Sequence, residues 1–247
     1  MLDLLTPFFR RLYDETGWNF VIFYEQYEWD RFVAAIWVSL ELIVASLFFS
    51  LVVGIVGAWL QGSPIRAVRL FMSGYIQFFR NTPPYVQLLF FFFVLGNFTP
   101  KVDMGGYYEP MITSFGWAVI SLSFFAGAFN VEIFRAGIEA VPESTREAAE
   151  SLGYSRLMAY VYVILPLAFR VCLPSLNNNL VNLLKTTTQA YAIAVPEMLY
   201  TLNQVWSDNV NVPEMMIILF VYYVGLVAVL VWGMHRWERK MKIPGYG

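Results

Sequence analysis

The run FVAAIWVSLELIVASLFFSLVVGIVGAWL, Phe32 to Leu60, carries a single charge, Glu41, in 29 residues. A helix needs about 20 mostly apolar residues to cross the hydrocarbon core of a bilayer. In lipid, only helices and closed barrels satisfy their own backbone polar groups. This run therefore commits the chain to a helical membrane fold. Four further apolar stretches read as spans: about 70–95, 115–134, 159–194 (long and interrupted) and 215–237. Composition agrees, with 58% hydrophobic and 14% charged residues, where a soluble domain carries about a quarter charged. The fold class is an all-α integral membrane protein of about five transmembrane helices.

Orientation follows the excess of Lys and Arg on the cytoplasmic side. If the 61–69 loop, the 135–156 loop and the C-terminus share a side, that side holds Arg66, Arg69, Arg80, Arg135, Arg146, Arg156, Arg236, Arg239, Lys240 and Lys242. The other side holds Arg10, Arg11, Arg31 and Lys101. The C-terminus is thus expected in the cytoplasm and, with five spans, the N-terminus outside. The opening MLDLLTPFFRRLYDETGWNF has Asp3, Pro7 and late arginines, the wrong order for a cleavable leader. The first span is expected to direct insertion, and the aromatic, acidic N-terminal segment reads as an interfacial amphipathic helix.

Several function classes recede. Net charge is −2, which offers no basic field for nucleic acid. One cysteine, Cys172, and one histidine, His235, supply neither a disulfide framework nor a metal site. No G-x4-G-K-[ST] loop for nucleotide phosphates is present. A membrane-embedded enzyme lacks a catalytic set. A secondary transporter is an alternative for a chain with broken polar helices, though no internal repeat is visible.

Polar groups at membrane depth carry the functional reading, since each is costly unless it faces protein or water. Glu41 lies about ten residues into the first span. The second span holds RNTPPYVQ, where Pro83 and Pro84 break the helix beside Arg80, Asn81, Thr82 and Gln87. The fourth segment carries Arg170, Asn177–Asn179, Asn182, Lys185, Thr186, Thr187, Thr188 and Gln189 between prolines. That load suggests a water-lined path or gate; a partly surface-lying helix is the alternative. Arg80, Asn81, Thr82, Pro83, Gln87, Lys185, Thr186, Thr187 and Glu41 are the path candidates. Ser46, Ser50, Gly54 and Ala58 recur every fourth residue and form a small-residue face for close helix packing.

The loop AVPESTREAAESLGYSRL differs in kind. Ser144 and Glu147 have capping-box spacing, and Pro142 stops the third span. Ala148, Ala149 and Leu152 make a small apolar face, Gly153 suits a left-handed helix stop, and Ser155 can cap a second helix. The spacing predicts helix, glycine turn, helix, then Pro166 entering the membrane.

Glu147-Ala148-Ala149, Gly153 three residues later and Val163-Ile164-Leu165-Pro166 nine after that resemble the E-A-A-x3-G-x9-I-x-L-P motif of inner-membrane subunits of binding-protein-dependent ABC importers. FFRNTPPYVQLLFFFFVL, VEIFRAGIEAVPESTREAAESLG and LPSLNNNLVNLLKTTTQA are similar to segments of the polar amino-acid (histidine/glutamine) permease family. Asn81 stands where that family has glycine, Ser144-Thr145 replace Gly-Gln, and Thr188-Gln189 replace Ser-Leu. The resemblance covers about 39–195. It implies the type I ABC importer permease fold in the bacterial inner membrane. The implied layout is an extracytoplasmic segment 1–31, one permease domain 32–237 with a cytoplasmic coupling loop at about 135–160, and a cytoplasmic tail 238–247. It also implies a non-catalytic subunit, paired with an identical or sister permease. Two ABC ATPases beneath would hold ATP and Mg and dock on Glu147, Ala148, Ala149, Leu152 and Gly153. An extracytoplasmic amino-acid-binding protein would deliver cargo from above. This chain would bind no cofactor itself.

Overall fold

The computed structural model describes residues 2–241. Of the expected tail 238–247, residues 238–241 continue α10 and 242–247 lie outside the described residues. Among the described residues, the regular elements are helical apart from one small hairpin. The chain contains α1 (Leu2–Thr16), α2 (Gln26–Gln61), α3 (Arg66–Asn81), α4 (Pro84–Phe93), the antiparallel strands β1 (Lys101–Asp103) and β2 (Tyr108–Pro110), and α5 (Ser114–Glu139). It continues through α6 (Glu143–Ser151), α7 (Arg156–Ala159), α8 (Leu165–Thr186), α9 (Met198–Asn209) and α10 (Val212–Met241).

Four helical stretches among the described residues are long and apolar enough to cross a membrane: Gln26–Gln61, Ser114–Glu139, Arg156–Ile193 and Val212–Met241. The expected second span is two helices. Pro83 and Pro84 interrupt it, so α3 stops at Asn81 and α4 starts at Pro84. At about 1.5 Å per residue, α3 alone covers about 24 Å and α4 about 15 Å, each short of the roughly 30 Å core. The fourth stretch is also irregular. A π-helical turn, Tyr160–Ile164, joins α7 to α8, and a 3-10 segment, Thr187–Ile193, follows α8. Pro166 has no N–H to give to a residue one turn earlier, and the wider turn falls immediately before it.

The chain divides into two compact units. One comprises residues 2–45, 88–119 and 184–228. Its core gathers Val21, Ile22, Ala35, Met198, Leu202, Val205 and Met215, with Phe32, Ile36 and Trp206 packed around them. Polar bonds tie the N-terminal segment into it. The Asn19 N–H donates to Glu214 (2.8 Å), and Asn211 Nδ2 donates to the Asn19 carbonyl (2.8 Å).

The other unit comprises residues 46–87, 120–183 and 229–241. Here the small-residue face of α2 is filled by α5 of the same chain. A Cβ on Gly54 would sit 2.4 Å from Asn130 Cβ, and one on Gly57 would sit 2.4 Å from Val131. Asn130 Nδ2 donates to the Ser50 carbonyl (3.1 Å) and to Ser50 Oγ (3.3 Å). Asn179 Nδ2 of α8 in turn donates to Asn130 Oδ1 (2.8 Å) and to the Ala126 carbonyl (3.0 Å). In lipid, where hiding apolar surface gives helices no advantage, small residues and such buried amides hold them together.

Candidate functional site

The loop after α5 folds as helix, turn, helix. Pro142, with φ −58°, stands at the N-cap of α6, and no side chain caps the helix. The capping box expected from Ser144 and Glu147 does not form. Thr145 N–H already bonds the Pro142 carbonyl at 2.9 Å, because the fixed φ of proline is pre-set for a helix start. Helix α6 therefore begins at Glu143, which pairs with Arg146. Its other end follows the expectation. Gly153 takes φ +89°, its N–H reaches the Glu150 carbonyl at 3.0 Å, and Tyr154 N–H reaches the Ala149 carbonyl at 3.2 Å. These are the two bonds of a Schellman stop. Ser155 Oγ then accepts from Met158 N–H at 3.3 Å and caps α7.

Of the small apolar face, Ala149 turns inward and is buried, whereas Glu147, Ala148, Leu152 and Gly153 are exposed. Leu152 is 80% and Leu157 72% exposed, with Tyr154 and Met158 beside them in sequence. Beyond the glycine and its two chain neighbours, no atom of the described residues lies within 4 Å of where a Gly153 Cβ would be. The turn thus presents bare backbone and apolar side chains to whatever approaches.

The α3–α4 break is sealed rather than left open. Gln87 is buried. Its Nε2 donates to the Phe79 carbonyl (2.9 Å), the Thr82 carbonyl (3.0 Å) and Thr82 Oγ1 (2.6 Å), occupying acceptors released where the helix ends. Thr82 Oγ1 donates to the Phe78 carbonyl (2.8 Å) and Asn81 to Gln77 (2.8 Å), while Asn81 and Pro83 are exposed.

Arg80 reaches into a groove of about 440 Å³ lined also by Phe129, Glu132, Gly137, Cys172 and Ser175. Its guanidinium lies 5.3 Å from the Phe129 ring centroid and 3.7 Å from Glu132 Oε2. Glu132 is shared. Arg135 approaches it at 3.0 Å, and Gln61 Nε2 donates to it at 3.2 Å. Glu132 and Asn130, both on α5, organise this unit, and the sequence reading did not single them out. An i,i+3 spacing of Glu132 to Arg135 inside an apolar run was the available signal.

Helix α8 and the first residue of the 3-10 segment after it divide their polar load by face. Asn177, Asn179 and Thr187 turn inward, and Thr187 Oγ1 donates to the Leu184 carbonyl at 2.7 Å. Thr186 is also buried. Arg170, Asn178, Asn182 and Lys185 are exposed, as is Pro174. With helical spacing of three or four residues, these share one face. An outward stripe of cations and amides on a membrane-spanning helix has no place against lipid.

Glu41 is exposed and has no hydrogen bond or ion pair among the described residues. It lies about 20 residues before Gln61, the last residue of α2. At 1.5 Å per residue that is about 30 Å, one hydrocarbon thickness. If α2 leaves the membrane at Gln61, Glu41 sits near the opposite boundary rather than at mid-depth.

Comparison with known families matches residues 50–243 to the binding-protein-dependent transport system inner membrane component. The chain is 30% identical over 194 residues to the L-cystine transport system permease protein of Bacillus subtilis, covering 78% of this chain and 77% of that protein. It is 28% identical over 242 residues to the glutamate/aspartate import permease protein of Escherichia coli K12, covering 92% and 96%. Among solved structures, an amino acid ABC transporter shares the fold with a TM-score of 0.74 at 29% identity, over 85% of this chain and 94% of that one. A methionine ABC transporter in an inward-facing conformation does so with a TM-score of 0.67 at 19% identity, over 89% and 99%, a likeness of fold alone. With a family match over residues 50–243, most of its length, the chain belongs to the inner membrane components of binding-protein-dependent transport systems.

Proposed function

We propose that this permease carries an amino acid inward as half of a transmembrane dimer, with its N-terminus outside and its C-terminus in the cytoplasm. The names of its relatives speak for amino-acid cargo. The observation that carries the reading is the polar stripe on α8, Arg170–Asn178–Asn182–Lys185, which requires water or a second permease chain beside it. Lys185 and Arg80 are cations suited to a substrate carboxylate. Helix α6 and its glycine turn serve as the docking element for an ABC ATPase on which ATP and Mg bind. Closure of two such ATPases draws the two docked turns together and opens the path outward. A binding protein delivers cargo to the outer face.

Purification of the assembled importer tests this. ATPase subunits should co-purify with the permease, and a loaded binding protein should stimulate hydrolysis. Loss of both in Gly153→Asp, with the permease still folded, supports the docking role. A permease that transports without any ATPase refutes the assignment and favours a secondary transporter.

A further inference from the structure

We infer that the outward face at the C-terminal end of α10 is a binding site for an anionic phospholipid. Val229 and Trp232 are 68% and 66% exposed, and Arg236, Arg239 and Lys240 are exposed below them. Offsets of 0, 3, 7, 10 and 11 residues put all five on one side of the helix. The face thus runs from an aliphatic side chain through an indole to three cations within about 17 Å. That order is the order of acyl chain, interface and phosphate in one lipid leaflet.

The cations are uncompensated among the described residues. None of the three has an ion pair. Arg236 instead lies 5.6 Å from the Trp232 ring centroid, where the ring face attracts the guanidinium. The carboxylate interleaved with them, Glu238, is half-buried and accepts from Asn177 Nδ2 at 3.3 Å on the inner side of the helix. Three like charges on one face, with the available acid turned away, leave that face open to an external anion. The apolar residues directly above them favour an anion that carries its own acyl chains over free phosphate. This inference uses the reading of α10 as a membrane span and is independent of the cargo and of ATPase docking.

The test uses the intact importer, delipidated in mild detergent and then offered equal phosphatidylglycerol and phosphatidylcholine. Bound lipid is counted by native mass spectrometry. Each cation near an anionic surface is worth about a fivefold preference. Wild type should therefore retain phosphatidylglycerol selectively. Arg236→Gln/Arg239→Gln/Lys240→Gln should lose at least about tenfold of that preference while ATPase subunits still co-purify. Arg66→Gln, a cation on another helix, should leave it unchanged. Brominated phosphatidylglycerol should quench Trp232 fluorescence, read as the difference from Trp232→Phe, and should do so less in the triple variant. Unchanged lipid preference in the triple variant overturns the site. So does displacement of the lipid by inorganic phosphate, which would mark a soluble-anion site. A Trp232 shielded from brominated lipid in the intact complex would show that a partner chain covers the face and also refutes the inference. Failure of ATPase to co-purify with wild type, by contrast, strikes the proposed function and leaves the lipid result readable.

Discussion

Replacing Gly54 with alanine is a one-carbon probe of how α2 and α5 are held together. In an open helix this change is favourable by about 0.8–1 kcal/mol, because glycine is the poorer helix former. Here the new Cβ would stand 2.4 Å from Asn130 Cβ, 3.0 Å from the Phe134 ring and 3.3 Å from the Asn130 backbone carbonyl carbon. Carbons in good contact sit about 3.5–4.0 Å apart, so the helices must open by about 1 Å. Overpacking of this kind costs about 1–3 kcal/mol. The same opening carries the Asn130–Ser50 bonds, 3.1 and 3.3 Å long, out of range. Buried bonds between spans average about 0.6 kcal/mol each. Less the gain in helix propensity, the expected net destabilisation is about 1–3 kcal/mol, opposite in sign to the propensity alone. Unfolding from mild detergent by titrated sodium dodecyl sulfate measures it. An Asn130→Ala background separates the two contributions: it keeps the Cβ clash and removes the bonds. Gly54→Ala should then cost about 1 kcal/mol less than in wild type. A neutral or stabilising Gly54→Ala, or an equal penalty in both backgrounds, refutes the contact and the coupling.

Three other perturbations address function and pH. At Gly153, φ +89° costs an alanine about 1–2 kcal/mol, while asparagine tolerates that region. Open space at the position keeps the chain folded. Gly153→Ala should weaken ATPase co-purification about tenfold and Gly153→Asn less; wild-type coupling in both would remove any need for the left-handed turn. Glu197 is fully buried as the N-cap of α9, accepting from the Leu199 N–H (3.0 Å) and Tyr200 N–H (2.8 Å). Desolvation raises its pKa above the ordinary carboxylate value, against the opposing pull of those bonds. The folded protein then holds a proton that the unfolded chain releases, so stability falls as pH rises from the ordinary value through the folded one. Thermal melting of Glu197→Gln should show a flatter pH slope than wild type; identical slopes would contradict the buried acid's role. In a Cys172→Ser background, Lys185→Cys and Asn178→Cys should react with aqueous thiol reagents and Thr187→Cys should not. Equal reactivity at all three positions would undo the division of α8 and the start of the following 3-10 segment into two faces.

Much of the site was legible because lipid is a severe solvent. A proline pair inside an apolar run must break a helix, and α3 and α4 part at Pro83–Pro84. Gly153 between a short polar helix and Ser155 signalled a left-handed stop, since a residue without a Cβ takes positive φ at little cost. Ser144 and Glu147 have the spacing of a capping box, whereas α6 begins at Glu143. A side-chain cap and a proline N-cap compete for the same role, and the backbone geometry of Pro142 prevailed. Gln87, grouped in the sequence with path candidates, turns inward as a seal. Nothing in the order RNTPPYVQ says on which side of the break its amide falls.

By itself the sequence determined the membrane class, the interruptions of the second and fourth segments and the glycine turn between α6 and α7. Those depend on local apolarity, missing N–H groups and allowed φ, which neighbours along the chain impose. Only the tertiary structure decided which polar groups are consumed. Asn130 bonds both Ser50 and Asn179, linking three helices, while Arg170, Asn178 and Lys185 are left facing outward. The physical reason is that a buried amide must find its partner from another segment, and residue order along a chain carries no record of which helix face will meet which.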